Sequence, residues 1–109
     1  MKIFISYTMK DPEITIDLLK AIKEKYHCYA DIFIDRLCDA NSQDTVLNEL
    51  SMSNILILLR TKNIMDSKWV KIELDLARSL NIPIIEYNPN KMINQKPDKL
   101  FKEVYNLVL

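Results

Sequence analysis

Three features of the chain predict an α/β fold built on a parallel, doubly wound sheet. Short apolar segments alternate with amphipathic ones throughout, four of each, the pattern of strands joined by helical, right-handed crossovers. The run Ile55–Leu59 is apolar at every position; it is too short for a helix and reads as a strand covered on both faces. No repeat, linker or low-complexity stretch interrupts the 109 residues. That length suits one domain, residues 1–109, able to bury a core without disulfide or metal staples.

Residues 2–7 (Lys-Ile-Phe-Ile-Ser-Tyr) read as the first strand. Asp11-Pro12-Glu13 then supplies a capping carboxylate, a proline for the first helical position and an acidic first turn, so the spacing predicts a helix over 12–26. Its inward face is Ile14, Leu18, Ala21, Ile22 and Tyr26. A second strand is expected over 30–35, and an irregular polar loop, Arg36 to Ser42, follows it. That loop should be exposed, with Cys38 a free thiol. Val46, Leu47 and Leu50 mark a helix near 43–51, ahead of the strand at 55–59. Asp66 or Ser67 can cap a helix over 67–80. Pro83 fits the start or the edge position of a strand over 83–87. Residues 88–96 read as loop, with Pro89 barring an early helix. The last helix, near 97–108, turns Leu100, Phe101, Val104, Leu107 and Val108 inward.

Composition excludes several functions. Lys plus Arg and Asp plus Glu are equal at 15 each, so the chain carries no basic footprint for nucleic acid. No apolar run approaches the roughly 18 residues of a membrane span, and the N-terminus lacks a signal-peptide pattern; a cytoplasmic location is expected. Cys28 and Cys38 lie outside any metal-ligand spacing, so no metal is expected and both thiols should be free. Glycine is absent. Neither a P-loop nor a dinucleotide fingerprint can exist without it, and turns fall to asparagines such as Asn41, Asn63, Asn81 and Asn88.

One residue breaks its pattern. Stepping about 100° per residue along the helix at 67–80, Trp69, Val70, Leu74, Leu76, Ala77 and Leu80 share an apolar arc, and Glu73 lies near its middle. A carboxylate turned toward the core costs several kcal/mol unless something pairs with it. It is either a hydrogen-bonded structural residue or a cleft-facing group beside the carboxyl end of a parallel strand, where open α/β sheets bind ligands. Ser6, Thr8, Asp35 and Arg60 fall at the carboxyl ends of expected strands; Arg60 could meet a phosphate. Trp69 and Tyr7 could stack on a planar ring, although an aromatic on an apolar helix face is more often core. His27, at a helix end, reads as a dipole partner.

Several flavodoxin-like families share this architecture, and the strand ends separate them. A phosphoacceptor receiver needs acidic residues where this chain has Ser6-Tyr7-Thr8 and Arg60-Thr61. A flavodoxin needs a glycine- and hydroxyl-rich loop that is missing. The box Ile3-Phe4-Ile5-Ser6-Tyr7 followed by Asp11, the Phe33-Ile34-Asp35 segment before an irregular loop, Ser53, the segment Ser67-Lys68-Trp69-Val70-x-x-Glu73-Leu74-x-x-Ala77, and Ile82-Pro83-Ile84-Ile85 together resemble the Toll/interleukin receptor (TIR) domain of bacterial type, over about residues 2 to 87. In two respects the chain departs from the family. The loop after the second strand, the BB loop, has no glycine, and the usual fifth strand is missing. The resemblance therefore implies a minimal four-stranded version, in order 2-1-3-4.

Active TIR domains cleave the bond between nicotinamide and ribose in NAD⁺, and some cyclise the product. The resemblance places their catalytic glutamate at Glu73, with Ser6, Tyr7, Thr8, Asp35, Arg60 and Trp69 as substrate-binding candidates. It implies NAD⁺ as substrate with no further cofactor, self-association with other TIR domains, and a role in bacterial antiphage defence or NAD signalling. Two alternatives stay open: a non-catalytic TIR interaction module, and a nucleoside deoxyribosyltransferase-like enzyme that also uses a glutamate at an N-glycosidic bond.

Overall fold

The computed structural model describes residues 1–28, 30–34 and 43–108. Among them are four strands, β1 (Lys2–Ser6), β2 (Asp31–Phe33), β3 (Ile55–Leu59) and β4 (Ile84–Tyr87), and five helices, α1 (Ile16–Tyr26), α2 (Gln43–Ser51), α3 (Lys68–Ser79), α4 (Pro89–Asn94) and α5 (Pro97–Val108). The sheet order is β2-β1-β3-β4. Every pairing is parallel, with Phe4 beside Leu56 and Ser6 beside Leu58 in one register, and Leu56 beside Ile84 in the next. The chain is an α/β protein with a doubly wound parallel sheet, compatible with a flavodoxin-like fold.

Alternation along the strands divides the core in two. Ile3, Ile5 and Tyr7 of β1 and its extension join Ile55, Ile57 and Leu59 of β3 on one face, packed with Leu19, Ile22 and Tyr26 of α1, Met92 of α4, and Leu100 and Val104 of α5. Phe4, Leu56 and Leu58 point the other way, onto Leu50 of α2 and Val70, Leu74 and Ala77 of α3. All five residues of β3 are buried, as its unbroken apolar run requires of a central strand.

Three expectations about helices need correction. Helix α1 starts at Ile16 with Thr15 as its cap, the Thr15 side chain accepting from the Leu18 N–H. Asp11 is unavailable for capping because its carboxylate accepts from the Asn63 backbone N–H at 2.9 Å and side-chain N–H at 2.7 Å. Of the expected inward face Ile14, Ile22 and Tyr26 are buried and Leu18 is half-buried against the same cluster; Leu19 joins them, and Ala21 is exposed. The stretch expected as loop after β4 contains α4. Pro89 occupies its first turn behind the Asn88 cap, where a fixed φ favours a helix and the missing N–H is not needed. The expected inward face of α5 is also too generous, since Leu107 is exposed. Cys28 is a free thiol; the loop of residues 36–42 with Cys38, and Asp35, lie outside the described residues.

Candidate functional site

The site grows from the end of β1. Side chains in a strand alternate, so Ser6 follows Phe4 onto the α3 side while Tyr7 turns back to the α1 side. Across from Ser6, α3 begins after a short 3-10 turn, Ile64–Asp66, and is capped by Ser67, whose hydroxyl accepts from the Val70 N–H. This start fixes the rotation of the helix, so that Val70, Glu73, Leu74 and Ala77 face inward. Glu73 is 4% exposed, and the Ser6 hydroxyl donates to its Oε1 at 2.8 Å. A hydrogen bond to a charged group contributes on the order of 1.5–3 kcal/mol and so offsets part of the cost of burying the carboxylate.

One step outward along both elements lies a cleft. Thr8 stands two residues beyond Ser6 on the same side, and Trp69 stands one helical turn before Glu73. Both line an opening of about 400 Å³ with Met9, Lys10, Asp66, Ser67 and Lys68. That volume lies within the range of small-molecule sites. Its walls are two loops, one after β1 and one after β3, and they are tied together. Asp11 holds Asn63 as described, and the Lys10 ammonium donates to the Asp66 carbonyl at 3.0 Å. The Thr61 hydroxyl first, and then the Asn63 N–H groups, hold the Asp11 carboxyl below its usual value, against the opposing effect of burial.

The expected site residues therefore divide. Glu73 and Ser6 meet directly, and Thr8 and Trp69 line the cleft, but Glu73 and Ser6 are not among its lining residues. Trp69 is 51% exposed; its place in the apolar arc had suggested a core position. Tyr7 is buried in the cluster on the opposite face of the sheet, away from the Glu73 side. Arg60 is exposed and pairs with Glu86 at 3.5 Å, outside the residues that line the cleft. Lys10 and Lys68, the two cations at the cleft, and Asp11, which braces its walls, were not among the expected site residues. The signal for Asp11 was its position just after the first strand, but a following proline made it read as a helix cap.

Chemically the arrangement offers a buried carboxylate held by a serine hydroxyl, and a separate opening lined by Trp69, two lysines and Asp66, which does not include Glu73. No group of metal-ligating side chains occurs among the described residues, and none of the described helices is long and apolar enough to cross a membrane. Comparison with protein-family models and with curated proteins finds no match.

Proposed function

We propose that the chain is a minimal TIR-like NAD⁺ glycohydrolase with Glu73 as its catalytic carboxylate. The observation that carries the reading is the pairing of Glu73, 4% exposed, with Ser6 at the carboxyl end of β1, on the two elements whose neighbouring residues Thr8 and Trp69 line a cleft. Cleavage breaks the bond between the anomeric carbon and the pyridinium nitrogen. The bonding pair leaves with nicotinamide, which becomes neutral, and positive charge develops on the ribose as an oxocarbenium ion. A fixed carboxylate stabilises that charge or holds the ribose hydroxyls. Water then attacks the same carbon to give ADP-ribose, or a ring atom of the substrate does so to give a cyclic product. Lys10 and Lys68 suit the pyrophosphate, and the half-exposed Trp69 ring suits a planar base.

The carboxylate is buried in the resting chain and does not line the cleft, so turnover requires an opening between the two. Self-association, implied by the resemblance to TIR domains, would supply that step. We place the enzyme in the cytoplasm, acting in antiphage defence or NAD signalling. The interaction-module reading takes the Ser6–Glu73 bond as purely structural, and the two readings separate on one variant. Glu73→Gln keeps the shape and one acceptor oxygen but removes the charge. Release of nicotinamide from NAD⁺ by concentrated protein should fall at least about a hundredfold, with the thermal midpoint equal or higher. A Gln variant that cleaves NAD⁺ at the wild-type rate removes Glu73 from the chemistry, and a wild-type protein inert at high concentration favours the interaction module.

A further inference from the structure

The cleft carries charges of both signs. Lys10 and Lys68 are the cations of its lining and Asp66 is the anion, all three exposed. Lys10 is held from two sides: its ammonium donates to the Asp66 carbonyl at 3.0 Å, and its backbone N–H donates to the Thr8 hydroxyl at 3.3 Å. The Asp66 carboxylate makes no ion pair among the described residues, so it meets a ligand with its charge uncompensated. Arg60 is paired with Glu86 outside the cleft. Lys62, on the same loop as Asp66, acts on the Asp11 carboxylate and is not among the lining residues.

We propose that Asp66 is the specificity-determining residue of this cleft: it accepts a hydrogen bond from a ribose 2′-hydroxyl and repels a phosphate at that position, so that the cleft takes NAD⁺ and discriminates against NADP⁺. The inference rests on the reading of the chain as an NAD⁺ glycohydrolase and deepens it to a choice between two dinucleotides. Charge decides the choice. The pyrophosphate carries two negative charges, which Lys10 and Lys68 match one for one. A 2′-phosphate brings further negative charge, and the charged lining group that is left has the same sign. Dinucleotide sites divide in this way: a carboxylate accepts from a free 2′-hydroxyl, whereas an arginine meets a 2′-phosphate. Here the lining has the carboxylate and, among the described residues, no arginine. The division is a matter of side-chain chemistry, so it does not depend on the glycine loop that this chain lacks.

Trp69 is the only tryptophan in the chain and lines the cleft, so its emission reports a bound nucleotide without turnover. The test titrates the full chain, at low salt, with ADP-ribose and with ADP-ribose 2′-phosphate. ADP-ribose should bind at least about tenfold tighter, the scale of a hydrogen bond to a charged group. Asp66→Asn should cut that preference about fivefold, the scale of one exposed charge pair, and Asp66→Lys should reverse it. Raising the salt should narrow the wild-type preference, because exposed charges are screened. Asp66 is exposed and holds Lys10 through its backbone carbonyl, so both variants should keep the circular dichroism of the parent. A wild-type chain that binds the two nucleotides equally, or a preference that survives in both variants, overturns the assignment of Asp66 and leaves the NAD⁺ reading standing. If neither nucleotide alters the Trp69 emission, the cleft is not the nucleotide site, and the proposal falls together with the placing of the pyrophosphate there. A chain that shows the preference but releases no nicotinamide from NAD⁺ loses the enzyme reading and keeps the specificity of the cleft.

Discussion

With no glycine in the chain, the sharp stop at the end of α3 falls to asparagine. Asn81 has φ of 57°, the only positive φ among the described residues. Around it the chain closes a Schellman motif: the Ile82 N–H donates to the Ala77 carbonyl at 2.8 Å and the Asn81 N–H to the Arg78 carbonyl at 3.2 Å, which satisfies carbonyls that the helix end would otherwise leave open. Ala77 and Ile82 both belong to the apolar cluster beneath α3, so the turn also delivers the chain to β4. Asparagine tolerates the left-handed region because its short polar side chain crowds the backbone little; a β-branched residue does not. Asn81→Val should therefore lower the free energy of unfolding by about 1–2 kcal/mol, and Asn81→Gly should leave it equal or higher. Urea unfolding of the three proteins side by side checks this, and a Val variant as stable as the parent would refute it.

At the level of elements, helix rotation and loop bracing decide the site. The strands were legible because apolar runs in a sheet covered on both faces have few alternatives, and β3 is the plainest case. The anomaly at Glu73 was legible too, since helical periodicity alone puts it with Val70, Leu74 and Ala77. What periodicity could not show is how much of a wide apolar arc gets buried. The arc on α3 is wider than the sheet can cover, so one side of it, with Trp69 and Leu80, stays in solvent. Asp11 was misread because capping is a local rule, whereas its partner Asn63 lies 52 residues away. That distant bond makes a pH-dependent brace. The folded carboxyl titrates below its ordinary value of 3.8, so its contribution to stability is present above that value and is lost as pH falls through the lower folded value. Asp11→Asn should be less stable near neutral pH, and its deficit should shrink as pH drops past 3.8. Chemical unfolding of both proteins over an acid series reads the difference directly, and parallel curves would exclude the brace.

Across the whole molecule the two sides of the sheet are built differently. The α2–α3 side carries the candidate site at the carboxyl ends of β1 and β3, while the α1–α4–α5 side holds a polar clasp inside its apolar layer. There the Tyr26 hydroxyl donates to the Met92 carbonyl at 2.6 Å, joining α1 to α4, and the Tyr87 hydroxyl donates to Glu103, joining β4 to α5. Among the described strands β4 is an edge of the sheet, and this clasp helps to hold the last two helices against it. Burial first, and then the Glu103 carboxylate that accepts its proton, push Tyr87 from 10.0 to about 12, while burial also raises Tyr26. A phenol whose folded value is raised contributes stability that is complete below its unfolded value and is lost as pH climbs toward the folded one. The clasp should therefore hold fully below pH 10 and loosen between pH 10 and about 12, as a tyrosinate forms beside Glu103 in an apolar layer. Tyr87→Phe removes the ionising group and keeps the ring, so its stability should decline less steeply over that window than the parent's. Because Tyr26 titrates late as well, the slope should be reduced without vanishing, and Tyr26→Phe in the same chain should reduce it further. The measurement is the urea midpoint from neutral pH into the alkaline range. A Tyr87→Phe curve as steep as the parent's would place the alkaline sensitivity elsewhere in the chain.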